Sequence, residues 1–67
     1  MTSIENSAGI KVFADGCFIG SAIIGCQDGM LSYIFGQGIT SELRPNNLLF
    51  CRCEDGETFF LDVEFEG

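Results

Sequence analysis

The sequence predicts a small all-β domain, and its turn signals are the first reason. Three Asp-Gly pairs lie between stretches of alternating apolar residues, namely Asp15-Gly16, Asp28-Gly29 and Asp55-Gly56. A two-residue hairpin turn needs positive φ at both central positions, which Gly adopts without strain and Asp tolerates better than most residues. Each pair therefore predicts a β-hairpin.

Composition and length are the other two reasons. The chain is 46% hydrophobic and has seven Phe and one Pro, which is too apolar for disorder despite a net charge of -7. Its 67 residues suit one domain with one core, which buries roughly 60% of the surface of the unfolded chain. We expect a flexible N-terminal arm over residues 1–8, which are polar and aperiodic, and a single all-β domain over 9–67.

The first two Asp-Gly pairs predict a three-stranded meander over residues 9–36. The first turn places Phe13 opposite Phe18 and Val12 opposite Ile19. The second turn pairs its flanking segments by the same rule and adds the third strand. Glycines within the middle strand, Gly20 and Gly25, are typical of a bulge, a bend or a close backbone approach.

The segment 36–47 is the one long predicted connection. It lacks a period of two and is rich in turn formers. Thr40 is suited to cap a single helical or 3₁₀ turn, which Pro45 would end.

The third Asp-Gly pair predicts a C-terminal hairpin with two distinct faces. Its turn places Glu54 opposite Glu57, a mildly repulsive pair that must face water. The predicted core face carries Leu48, Phe50, Phe59, Leu61, Val63 and Phe65. The other face carries Leu49, Cys51, Cys53, Thr58, Phe60, Asp62 and Glu64. The five predicted strands, a meander plus a hairpin, fit a partly open barrel of the OB or SH3-like kind or an open antiparallel sheet.

Negative charge is concentrated at the C-terminal end. Residues 1–53 hold four acidic and three basic residues, a balance of -1, so -6 of the total -7 lies in residues 54–67. In the last strand three carboxylates, Asp62, Glu64 and Glu66, alternate with apolar residues. Neighbouring carboxylates are about 6.8 Å apart, which is two strand rises, and Phe60 begins the same row.

Two interpretations of this row are open. Charge runs are most often solvated faces, and on a terminal strand they also discourage edge-to-edge aggregation. Alternatively, a regular line of anions on a rigid strand resembles a nucleic-acid backbone in its charge layout and competes for a basic groove.

We therefore expect a small acidic, non-enzymatic binding protein that engages a basic surface of a partner protein. The candidate partner-binding residues are Glu54, Asp55, Glu57, Phe60, Asp62, Glu64 and Glu66. The sharpest version is a nucleic-acid-mimicking inhibitor of the phage type. The alternative is a structural or assembly subunit that forms a homodimer or larger homo-oligomer through apolar sheet faces.

Several function classes are disfavoured. The chain has no His, which removes the commonest general base, so we expect no catalytic residues. Three dispersed bases are too few for direct binding to nucleic acid or to an anionic membrane surface. The longest apolar run, 17–26, is too short to span a bilayer, and no basic segment precedes an apolar run at the amino end. A cytoplasmic location follows as an expectation.

The four cysteines, Cys17, Cys26, Cys51 and Cys53, are expected to be reduced, buried thiols. Zinc sites usually take ligand pairs spaced C-x₂₋₄-C, whereas this chain has only C-x-C on a strand. We expect no metal and no cofactor. A zinc-stapled domain remains the weaker alternative.

Overall fold

The computed structural model describes residues 8–66, which form one open sheet of five antiparallel strands and one short helix. The elements are β1 (Gly9–Ala14), β2 (Cys17–Ile23), α1 (Gln27–Phe35), β3 (Ile39–Arg44), β4 (Leu48–Cys53) and β5 (Thr58–Phe65). The strand order is β2-β1-β5-β4-β3. The predicted all-β class and the open-sheet alternative are confirmed. Residues 1–7 of the predicted arm lie outside the described residues.

The first predicted hairpin is confirmed at its turn. Asp15 and Gly16 have φ of 51° and 81°, the positive pair that the two-residue turn requires. Phe13 faces Phe18 across the turn as expected. Local turn chemistry was sufficient here because both central residues suit their backbone conformations.

A bulge then shifts the register of this hairpin by one residue. Val12 pairs with Gly20, not with the predicted Ile19. A Cβ added to Gly20 would lie 2.7 Å from the Met30 sulfur and 3.2 Å from Cδ1 of Ile34. Gly20 therefore lies where side chains of α1 approach the β2 backbone closely, which confirms the expectation of a bulge or close approach.

The second predicted hairpin is wrong, because Asp28 and Gly29 lie in the first turn of α1. An acidic residue at this position is favourable next to the positive end of the helix dipole. Gly36 ends the helix with φ of 75°, and its N–H donates to the Ser32 carbonyl at 2.9 Å. A glycine in this conformation is the common helix stop and was the sequence signal available for the helix.

The predicted connection over 36–47 contains a strand, β3. Thr40 lies within this strand and caps no helix. The turn into β4 uses Asn46 and Asn47, whose φ values are 68° and 59°. Asn tolerates this left-handed conformation, so the Asn-Asn pair was a turn signal of the same kind as Asp-Gly.

The C-terminal hairpin is present with a longer loop than predicted. The Cys53 N–H donates to the Glu57 carbonyl at 2.7 Å, and the Gly56 N–H donates to the Cys53 carbonyl at 2.9 Å. Gly56 has φ of 95°, whereas Asp55 stays in the negative-φ region. The loop therefore has three residues, 54–56, with glycine in the left-handed position, which is the next most common hairpin type.

The extra loop residue slips the pairing by one and turns β4 over relative to the prediction. Leu49 pairs with Leu61 and is fully buried, while the predicted core residues Leu48 and Phe50 are half-buried on the opposite side. Because successive strand residues point to opposite faces, a slip of one residue exchanges the whole set on β4. Phe65, also predicted in the core, is 52% exposed for another reason: it pairs with the buried Ile10 but is the last residue of β5.

The core lies between the sheet and α1. Its buried apolar residues are Ile10, Val12, Leu31, Ile39, Leu49, Cys51, Cys53, Leu61 and Val63. The helix contacts both edge strands, β2 and β3. In a flat sheet these strands would lie about 19 Å apart, so the sheet must curve around α1, which is about 10 Å wide.

We call the side facing α1 the inner face and the opposite side the outer face. Within 8–66, α1 is too short to cross a membrane.

The register of β4 gives a direct stability test. Leu49→Ala removes a fully buried side chain and is expected to lower the free energy of unfolding by about 3 kcal/mol. Leu48→Ala removes a half-buried side chain and should cost about 1 kcal/mol. Urea denaturation of both variants measures the difference. A larger loss of stability in Leu48→Ala than in Leu49→Ala would contradict the observed register and support the predicted two-residue turn.

Candidate protein-binding surface

The outer face collects side chains from all five strands. Cross-strand partners point to the same side of a sheet, so the register defines this face. It carries Lys11, Phe13, Phe18, Glu42, Arg44, Leu48, Phe50, Arg52, Phe60, Asp62 and Glu64. The three basic residues among them are all the Lys and Arg in the protein.

Two aromatic pairs lie on the outer face. The rings of Phe50 and Phe60 are 5.2 Å apart between centroids, and those of Phe13 and Phe18 are 5.7 Å apart. Phe60 is 55% exposed and Phe18 is 57% exposed. Exposed aromatic side chains of this kind are enriched at protein interfaces.

Two arginines flank the ring of Phe50. The guanidinium carbon of Arg44 lies 5.0 Å from the ring centroid and that of Arg52 lies 5.9 Å from it. Both distances are within the range of cation–π attraction. Arg44 also forms an ion pair with Glu42 at 3.4 Å. The arginines are thus held on the outer face next to its aromatic centre.

The predicted row of carboxylates projects from the outer face of the central strand. Asp62 and Glu64 are exposed and alternate with the buried Leu61 and Val63, as predicted. β5 lies between β1 and β4, so the expectation of a terminal strand whose charges guard an edge is wrong. The row also has a basic neighbour, because Lys11 pairs with Glu64 in the β1–β5 register.

A cleft of about 430 Å³ lies beside this row. Its lining residues include Phe13, the Asn46-Asn47 turn, Asp62 and Glu64. An aromatic ring next to carboxylates is suited to a Lys or Arg side chain, which is attracted by both.

The hairpin tip holds three further candidate residues, Glu54, Asp55 and Glu57, all exposed. Cys53, not Glu54, is the partner of Glu57, so the predicted repulsive pair is wrong. The Asp55 carboxylate accepts the Glu57 N–H at 3.0 Å and stabilises the turn. The tip therefore presents carboxylates from a well-defined loop.

Glu54 also ties the tip to the connection between α1 and β3. Its carboxylate accepts the Gly38 N–H at 2.7 Å, and its own N–H donates to the Gly38 carbonyl at 3.0 Å. A Cβ at Gly38 would lie 2.7 Å from the same carboxylate oxygen. Sequence reasoning missed this structural role because the two residues lie 16 positions apart.

The seven candidate residues thus form two groups, one in the loop before β5 and one along β5 and its end. One group is the tip, and the other is the β5 row of Phe60, Asp62 and Glu64, which Glu66 follows. The backbone N–H of Glu66 donates to the Gly9 carbonyl at 3.0 Å, so the chain is still held there. From Glu57 to Glu66 the line is about 30 Å long, nine strand rises.

The thiols also form two groups. Cys51 and Cys53 are buried, as expected, but they lie on the inner face, whereas the predicted register placed them on the face opposite the core. Burial raises the pKa of the Cys51 thiol to about 11, with smaller contributions from Cys53 and Asp28. Burial also raises the pKa of Cys53, and the carboxylates of the tip add to this shift. Cys17 and Cys26 are exposed, contrary to the expectation of burial. In residues 8–66 no group of three or more His, Cys, Asp or Glu is placed to hold a metal ion.

Hydrogen bonds from polar side chains fix α1 against β3 on the inner face. The Ser41 hydroxyl donates to the Asp28 carboxylate, and the Ser32 hydroxyl accepts the Ile39 N–H at 2.9 Å. Gln27 is buried, and its side-chain oxygen accepts the Gly25 N–H at 2.7 Å. These bonds stabilise the fold and leave the outer face as the candidate site.

Comparisons of the chain with models of protein families, with curated proteins and with solved structures give no significant match.

The Glu54–Gly38 hydrogen bond predicts a difference between two substitutions. Glu54→Ala loses the acceptor and should lower the free energy of unfolding by about 1 kcal/mol. Glu54→Gln keeps a side-chain oxygen at the same position and should retain most of the stability. Thermal denaturation compares them, and equal losses would mean that the carboxylate does not act through this bond.

The burial of Cys51 and Cys53 predicts two classes of thiol. At neutral pH an aromatic disulfide reagent should label Cys17 and Cys26 rapidly, and should label the other two only after unfolding. A C17S/C26S variant should lack the rapid phase.

The raised pKa of Cys51 predicts a pH-dependent stability. Folding raises this pKa from 9.0 to about 11, so the unfolded chain loses the thiol proton at a lower pH than the folded chain does. The free energy of unfolding should therefore fall as the pH rises from 9.0 to about 11. Cys51→Ala should remove this part of the pH dependence.

Proposed function

We propose that this chain is a non-enzymatic binding protein that engages a basic surface of a partner protein. One observation carries the proposal, namely six exposed carboxylates along the β5 line: Glu54, Asp55, Glu57, Asp62, Glu64 and Glu66. We call these six residues the acidic strip. Phe60 lies within it and offers an exposed ring of the kind that anchors protein interfaces.

The position of the strip supports a rigid electrostatic contact. β5 is hydrogen-bonded to a neighbour on each side, so its carboxylates cannot rearrange as those of a flexible tail would. A line of anions about 30 Å long would raise the association rate with a basic groove and lose strength in salt. The sharpest form of the proposal is a nucleic-acid mimic that blocks a nucleic-acid-binding protein.

The charge layout also supports a protein partner over direct binding to nucleic acid. The basic residues of the outer face alternate with Glu42, Asp62 and Glu64, so a phosphate backbone on this face would meet carboxylates as well as bases. We place this activity in the cytoplasm, where the four thiols stay reduced.

The proposal is tested by salt-dependent capture with neutralised variants. Immobilised protein is incubated with cell extract, washed at low salt and again at about 1 M salt, where the Debye length is about 3 Å. We expect partners to be captured at low salt and released at high salt. An oligonucleotide duplex added as competitor should release the same partners if the strip mimics nucleic acid.

Two variants divide the strip and one serves as the matched control. D55N/E57Q removes two of the three negative charges of the tip and keeps the Glu54–Gly38 hydrogen bond, while D62N/E64Q/E66Q neutralises the β5 row. Each variant should reduce capture by about tenfold or more. Asp15→Asn removes an exposed carboxylate at another turn, where Asn adopts the same positive φ, and should leave capture unchanged. If each of the two strip variants folds and captures partners as well as wild type does, the proposal is refuted.

A further inference from the structure

We infer that the outer face binds a second copy of this chain in a two-fold symmetric pair. The first observation is its charge balance. The face holds three bases, Lys11, Arg44 and Arg52, and four acids, Glu42, Asp62, Glu64 and, just beyond the end of β5, Glu66. Its net charge is only -1, so -6 of the total charge of -7 belongs to the rest of the chain.

When two copies of the chain meet, this charge balance favours contact between their outer faces over contact between their other surfaces. Two molecules that each carry -7 repel when their acidic surfaces meet. The outer face, with a net charge of -1, is a nearly neutral surface through which two copies can approach. It also has the aromatic and Arg side chains that are enriched in interface cores, including the exposed Phe18 and Phe60.

The second observation is that opposite charges lie on strands at equal distances from β4. Arg44 on β3 and Asp62 on β5 both pair with Leu48 of β4, so the three side chains form one row across the sheet. A two-fold axis along β4 exchanges the positions of Arg44 and Asp62. Each arginine then lies over the cleft beside Asp62 of the other copy, and the pair contains two such contacts.

The same axis brings apolar groups together at the centre. Leu48, Phe50 and Arg52 lie on β4 itself, so each meets its own counterpart in the second copy. The Arg52 pair brings like charges together at one end of this line, and its repulsion opposes the favourable contacts between Arg44 and Asp62. Phe60 is in the row next to Asp62 and becomes covered at the margin of this centre. Two sheets that face each other in this way pack about 10 Å apart with their strands nearly aligned.

The pair does not depend on the proposed function, but it affects that function in a defined way. A second copy would cover Asp62 and Glu64 and leave the tip at residues 54–57 exposed. A basic partner that needs the β5 row therefore competes with the second copy, whereas contact through the tip is compatible with it.

Sedimentation of the full chain under reducing conditions tests this inference. Wild-type protein should change from monomer to dimer between micromolar and submillimolar concentration. Arg44→Asp places carboxylates opposite Asp62 in both contacts, and Asp62→Arg places arginines opposite Arg44. Each variant alone should dimerise at least about tenfold more weakly.

An equimolar mixture of the two variants provides the decisive measurement. In the mixed pair one contact joins the two substituted side chains, a carboxylate from Arg44→Asp and a guanidinium from Asp62→Arg. The other contact joins the unchanged Asp62 of the first variant to the unchanged Arg44 of the second. Both contacts are again complementary, so the mixture should form a 1:1 dimer.

Controls and contrary outcomes complete this experiment. Circular dichroism verifies that both variants fold, and Asp55→Asn at the tip is the control that should dimerise like wild type. Monomeric wild type at submillimolar concentration, or a mixture that stays monomeric, would overturn the inference. A wild-type protein that stays monomeric but still captures basic partners would contradict this inference alone.

Discussion

The three-residue loop at 54–56 is the constraint on which the rest of the structure depends. It aligns Leu49 with Leu61 and places Cys51 and Cys53 on the inner face. With a loop one residue shorter, Phe50 and Arg52 would point toward α1, and a charged guanidinium would enter the core. The cost of burying an unpaired charge makes that register unfavourable. Gly56 permits the observed loop because it adopts φ of 95° without strain.

The central position of β5 determines the character of the outer face. As the middle strand, it pairs with β1 on one side and β4 on the other. β1 supplies Lys11, while β3 and β4 supply Arg44 and Arg52. A chain that is strongly acidic in sequence thus has a nearly balanced surface across its sheet, and most of its uncompensated charge lies at the tip and outside this face. Partner capture through the strip and pairing through the outer face are two consequences of this separation.

The helix completes the fold by contacting both edge strands. Gly20 allows it to pack closely against β2, and hydrogen bonds from Ser32 and Ser41 fix it against β3. Through these contacts the open sheet curves around α1, and its inner face is filled by the core. The outer face has no such cover within residues 8–66 and carries the exposed aromatic rings.

Local chemistry in the sequence was sufficient for the all-β class, the turn at Asp15-Gly16, the burial of Leu61 and Val63 and the alternation of acidic residues along β5. These features depend on neighbours in the chain and on the period of two in a strand. Tertiary structure decided that Asp28-Gly29 begins a helix, that β5 is central and that Lys11 lies opposite Glu64. These outcomes depend on pairing between distant segments and on a one-residue difference in loop length, which exchanges the two faces of a strand. The sequence alone therefore revealed the carboxylates, while only the fold placed the bases beside them.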